Sequence, residues 1–216
     1  MNAERGSRDR FGLIFALLSA SFLLSAFAAR HRGRAVPLLL YVVALLLVLR
    51  RGQLPGPRWR WPSWILLAGG LVGGVGEAVT ENRTLRGVTS LWLAVLLGFS
   101  IIVLMWRILV RSKVVTLQTI LGALSGYLLI GFAFAALLGA VGALQHGPLF
   151  AQNQPATSAT IQYFAFITMT TTGYGDFVAA GEPARTLAVA DALTGQIFLV
   201  TLVARLVSIF GINREG

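Results

Sequence analysis

The chain has no cysteine. A disulfide framework and any thiolate metal site are therefore excluded. It has two histidines and eight acidic residues in 216. His31 and His146 stand apart from other chemistry-bearing residues, and both read as loop residues in water. No carboxylate pair, phosphate loop or metal-ligand cluster is present, so nothing points to an enzyme or to a bound cofactor. Charge of either sign is scarce: 12% of residues are charged and 56% are hydrophobic. That balance is too apolar for a soluble domain of this length. The shortage of acids leaves a formal charge of +10, which raises nucleic acid as a partner. The basic residues, however, gather in short clusters between apolar runs, as Lys and Arg do in the cytoplasmic loops of membrane proteins. The reading is a lipid-embedded, multi-pass protein that binds no nucleic acid.

What is present is a series of apolar runs. Residues 11–29 carry no charge and come after Arg5, Arg8 and Arg10. At roughly 20 residues the run is long enough to span, and it reads as a retained helix, with a cleaved signal peptide as the competing reading. Residues 35–49 form a second, shorter run. Residues 61–79 form a third, rich in glycine, with Trp59, Trp61 and Trp64 at its start as an interfacial belt and Glu77 near its end. Glu81 to Arg86 read as a short polar loop, and a fourth span over 89–110 has no arginine before Arg107. Voltage sensing needs several arginines repeated through the membrane, so an arginine-ladder sensor is not expected. Residues 114–144 are a fifth run, whose Gly122, Gly126, Gly131 and Gly139 permit close helix packing.

Residues 145–156 are an uncharged, proline-bearing loop. The apolar segment 157–170 is too short to span. Thr157 or Ser158 suits its N-cap, and the expectation is a half-helix whose C-terminal end aims partial negative charge at a cation. Tyr163, Phe164 and Phe166 on it either brace the polar residues at its end or simply pack. The last span runs over 184–212, opened by Glu182 and Pro183. Only four residues come after it, and no ligand-sensing domain is expected beyond the last span.

Between the half-helix and the last span lies Thr168-Met169-Thr170-Thr171-Thr172-Gly173-Tyr174-Gly175-Asp176. Irregular polar backbone at membrane depth survives only where it is buried in protein or lines a water-filled path. The run resembles the selectivity filter of the potassium channel family, a member of the pore-loop superfamily. The longer signature T-x-x-T-x-G-Y-G is met from Thr168 to Gly175, with Thr172 where valine is commoner. The resemblance covers about residues 113–212 and hardly touches the first hundred residues. It implies an all-α membrane protein: four N-terminal transmembrane helices (1–112), then a helix–pore loop–helix pore unit (113–216), assembled as a homotetramer. It is similar to a prokaryotic-type six-helix channel without a voltage-sensing ladder. Potassium would be held by the carbonyls of Thr171, Thr172, Gly173 and Tyr174 and by the Thr171 hydroxyl. Gly173 and Gly175 would be needed for backbone angle. Thr168, Thr170, Asp176 and Asp191 would support the filter or its outer mouth. Asp176 either attracts cations or bonds behind the filter.

Gly195 is a hinge candidate or a packing contact. Leu199, Val203 and Val207, four apart, are candidates for an apolar gate, or else plain packing. A filter mouth outside puts both termini in the cytoplasm. Twelve of the 18 basic residues then fall inside and six outside, in the expected direction. The location expected is a prokaryotic plasma membrane. The competing functions are a potassium-uptake transporter subunit and a non-conducting regulatory channel subunit.

Overall fold

A computed structural model describes residues 11–27, 83–111 and 117–212. The runs at 35–49 and 61–79, with His31, the three tryptophans and Glu77, lie outside the described residues. Among the described residues there are five helices: α1 Phe11–Phe27, α2 Arg83–Arg111, α3 Leu117–Leu144, α4 Ser158–Met169 and α5 Glu182–Ile212. Among the described residues the only strand-like pairing is one antiparallel bridge between Phe150 and Ala179. Three helices, α2, α3 and α5, are long and apolar enough to cross a membrane, while α1 is a shorter apolar helix. At 1.5 Å per residue the 28 residues of α3 reach about 42 Å, enough to cross a hydrocarbon core with tilt. The chain is a membrane protein on these grounds.

Helix α2 begins at Arg83, not at residue 89. Arg83 and Arg86, expected in a polar loop, instead occupy its first two turns. Arg and Leu are good helix formers, so the helix extends past its apolar part.

The core forms around α3. Phe11, Ile14, Leu18 and Ser21 are buried, a 3–4–3 spacing that puts them on one face of α1. That face meets Leu96, Leu97 and Leu104 of α2 and Leu129 and Ala136 of α3 in one apolar cluster. The α1 and α3 starts lie together, because Gly12 N–H donates to Gln118 Oε1 at 3.1 Å. Higher up, the Phe22 ring lies 4.6 Å from that of Phe166 on α4. So α1 runs parallel to α3. Helix α2 runs antiparallel to it: Gly87 lies against Leu144, Ser90 against Gly139, and Met105 against Gly126. The buried hydroxyls Ser100 and Ser125 each donate to the carbonyl four residues back, which satisfies them without leaving the helix.

Small residues set the helix spacing. A Cβ on Gly126 would lie 2.7 Å from Met105 Cε, and one on Gly131 would lie 2.6 Å from the Phe166 ring. Both distances are shorter than carbon contacts allow, so these glycines let the neighbouring side chains seat. A second cluster, including Leu138, Leu149, Phe150, Ile161, Phe164, Ala165, Ala179 and Ala184, ties the half-helix α4 to the loop before it and to the start of α5. This cluster is the platform of the polar run.

Candidate functional site

Helix α4 starts by a reciprocal cap. Thr157 Oγ1 accepts the Thr160 N–H at 3.2 Å, and Thr160 Oγ1 accepts the Thr157 N–H at 2.9 Å. The reciprocity of a capping box is achieved with a threonine where glutamate or glutamine is usual. The helix stops after 12 residues, and its stop builds the start of the polar run. Thr171 N–H donates to the Thr168 carbonyl and Thr172 N–H to the Ile167 carbonyl, each at 2.9 Å. This pairing of the two residues beyond the cap is a Schellman motif. It needs a left-handed residue at Thr171, and φ there is +57°. Glycine is the usual occupant. A threonine costs roughly 1–2 kcal/mol at such angles.

Left-handed angles then alternate along the run: Thr171 at +57°, Gly173 at +49° and Gly175 at +81°, with Thr172 and Tyr174 at ordinary negative φ. The two glycines take these angles without strain. The sequence pointed to unusual angles at the glycines and held no sign of one at Thr171. Thr170 Oγ1 donates to the Phe166 carbonyl at 2.8 Å. Its single proton is thereby committed, so in the 2.9 Å contact with Thr172 Oγ1 it accepts. Thr172, standing where valine is commoner, thus gains a partner for its extra hydroxyl. Thr171 Oγ1 donates to the Thr170 carbonyl at 2.7 Å, which leaves its lone pairs as the remaining capacity for a cation.

The outer end of the run is held from two sides. From α4, the Tyr163 hydroxyl donates to Asp176 Oδ2 at 2.8 Å, while Asp176 Oδ1 accepts the Phe177 N–H. Donation to the carboxylate, with partial burial, holds the Tyr163 phenol above its ordinary pKa of 10.0. From the loop before α4, the Gln154 amide donates to the Asp176 carbonyl at 3.1 Å, and Gln152 reaches both the Gly175 carbonyl and the Val178 N–H. Two backbone bonds, Ala151 N–H to the Val178 carbonyl and Ala180 N–H to the Leu149 carbonyl, zip the same loop to the segment after the polar run. Gln152 and Gln154 were missed in the sequence. Glutamines in an uncharged loop carry no signal there, since only the fold brings them to the polar run.

The remaining candidates sit on α5. Gly195 backs onto the end of α4: a Cβ there would lie 2.5 Å from Met169 Cγ and 2.6 Å from the Met169 carbonyl oxygen. Asp191, one turn earlier, is fully buried, and neither carboxylate oxygen has a hydrogen-bond partner among the described residues. Leu199 and Val203 are exposed on the single chain, 41% and 50%. Val207 lies beyond the residues whose side chains are described. Thr170 to Asp176 are all exposed, Tyr174 by 73%. Among the described residues no group of His, Asp and Glu is placed to hold a metal ion.

Residues 122–211 match the family model described as ion channel. The match supports an ion channel, a class that is not an enzyme. It runs from early in α3 to the end of α5 and takes in the whole polar run. No curated protein and no solved structure matches the chain.

Proposed function

We propose that this chain forms a potassium-selective channel in which four copies surround one ion path. The observation that carries the reading is the backbone of residues 171–175, with left-handed angles at Thr171, Gly173 and Gly175. Alternation between left- and right-handed residues turns successive carbonyls to one side of the chain. Stacked carbonyls of this kind replace the water shell of a potassium ion. The Thr171, Thr172, Gly173 and Tyr174 carbonyls would be the ligands, with the Thr171 hydroxyl below them. Ions in adjacent sites repel one another, so binding and fast exit coexist. The C-terminal end of α4, just before these residues, adds favourable partial charge for a cation.

A single chain supplies one wall of such a path. In support of several copies, the chain leaves the polar run open and exposes Val189, Leu193, Ile197 and Val200 of α5, each by 58% or more. The filter mouth faces outward and both termini inward, in a cell membrane. Residues 1–112 form the leading helical region and 113–216 the pore unit. Leu199 and Val203 face the inner path as an apolar gate, and Gly195 serves as the point about which α5 bends.

The test is current from purified protein in a planar bilayer with potassium on one side and sodium on the other. Unit currents reversing near the potassium equilibrium potential are expected. A reversal that tracks sodium sinks the selectivity. Slow flux without unit currents points to an uptake transporter, and no flux to a regulatory subunit.

A further inference from the structure

The loop before α4 looks like a passive turret in the sequence, yet its glutamines make side-chain contacts with the outer end of the filter run. Asn153 sits between them at φ +54°, an angle that asparagine tolerates better than most residues. The chain turns there, and the Asn153 N–H closes the turn on the Phe150 carbonyl at 3.1 Å. Gln152 and Gln154, on either side of the turn, both reach residues 175–178. The orientation of the Gln152 amide is fixed by chemistry: its partner Val178 N–H, at 3.1 Å, is a donor and must face the oxygen. The NH2 group is left facing the Gly175 carbonyl at 3.4 Å, a long contact. Gln154 makes the shorter bond, 3.1 Å to the Asp176 carbonyl.

We propose that Gln152 and Gln154 are positioning residues for ion selection: their amides engage the carbonyls of Gly175 and Asp176 and so end the ion-coordinating ladder at Tyr174. This rests on the potassium-filter reading above. A carbonyl that accepts a hydrogen bond from a side chain is restrained in direction and shares its lone pairs. The Gly175 carbonyl is the next in line after Tyr174, on a glycine that by itself is free to turn either way. Without the amide it is free to swing toward the path. The outermost ligand ring then changes in number and stiffness, and with it the preference among cations. The neighbouring Asp176 side chain is fixed separately by Tyr163, so the glutamines act on the backbone while the tyrosine acts on the carboxylate.

The experiment uses the full chain, with Gln152→Met and Gln154→Met as apolar replacements of similar length. Gln145→Met is the control, because Gln145 bonds within the loop, to the Pro148 carbonyl at 2.7 Å. Potassium–sodium reversal potentials and the external potassium dependence of current are read for each. One ordinary hydrogen bond corresponds to about a fivefold change, so roughly a fivefold fall in the potassium-to-sodium permeability ratio is expected for each filter variant. The control should match the unsubstituted chain. Equal ratios in all proteins overturn the proposal. So does a loss of assembly, or an equal effect of the control, since either makes the glutamines mere supports of the loop. Hydrogen exchange at the Val178 amide gives an answer that does not depend on conduction. It should quicken about fivefold or more in Gln152→Met, and unchanged exchange rejects the clamp. If the unsubstituted chain fails to distinguish potassium from sodium, the filter reading falls, while exchange at Val178 still decides whether the clamp exists.

Discussion

Two regions of the described chain, residues 150–180 and α5, are built on opposite terms. Around residues 150–180 the chain supports itself: a reciprocal cap, a Schellman stop, a tyrosine on the aspartate and two glutamines on carbonyls all come from the same copy. Along α5 from Val189 on, much of the apolar surface has no cover among the described residues. Two glycines mark the contrast. Gly173 has no atom within 4 Å of where a Cβ would stand, and is required by its angle. Gly195 is helical, and is required because Met169 occupies that space. The lesson is that residues 150–180 are set by backbone conformation and polar pairing, and α5 by how closely apolar surfaces approach.

The sharpest way to break this contrast is Gly173→Ala. In the proposed tetramer the strain is repeated in every copy and should abolish potassium selectivity or current altogether, read as bilayer reversal potential, with assembly on a sizing column unaffected. Normal currents would remove residues 171–175 from the ion path. Gly195→Ala comes next. Its methyl group has to displace Met169, and overpacking of that kind costs about 1–3 kcal/mol, read as a lower thermal midpoint of the assembled protein. If Gly195→Ala melts like the parent, the contact with α4 is loose and bending is the better account of that glycine.

On α5, Leu199→Asn with Val203→Asn should raise basal potassium flux in liposomes if the proposed gate is right, because polar side chains wet an apolar constriction. Unaltered flux would assign both residues to packing against lipid or other copies.

The smallest effect is expected of Tyr163→Phe, which removes the donor to Asp176. Tyr163 donates as a neutral phenol with a raised pKa. Its contribution is therefore complete below pH 10, its ordinary value, and lost as pH rises through the higher folded value. The parent should lose thermal stability in that alkaline window more steeply than Tyr163→Phe. Parallel pH profiles would mean that the bond contributes nothing measurable.

The half-helix, its cap at Thr157 and the two long flanking helices were legible in the sequence because each rests on local chemistry: apolar length, a capping threonine, a proline at a helix start. So were Gly173 and Gly175, whose spacing about Tyr174 announces unusual backbone angles. Arg83 and Arg86 read as loop residues and are helical, since helix starts depend on propensity and contacts more weakly than on the apolar pattern. Asp191 was legible as a buried acid, but its lack of a partner among the described residues was not.

Other features waited on the tertiary structure, and the reason is distance along the chain. Gln152 meets Gly175 across 23 residues, and Phe22 meets Phe166 across more than half the chain. No spacing rule encodes such meetings. The left-handed angle at Thr171 belongs with them: threonine disfavours it, and the stop of α4 on Ile167 and Thr168 imposes it. By itself the sequence determined that this is a helical membrane protein with one glycine-marked polar run, because burial in lipid leaves few other ways to satisfy such a chain. Only the fold decided which side chains hold that run in place, because side-chain hydrogen bonds form where packing brings donor and acceptor to about 3 Å.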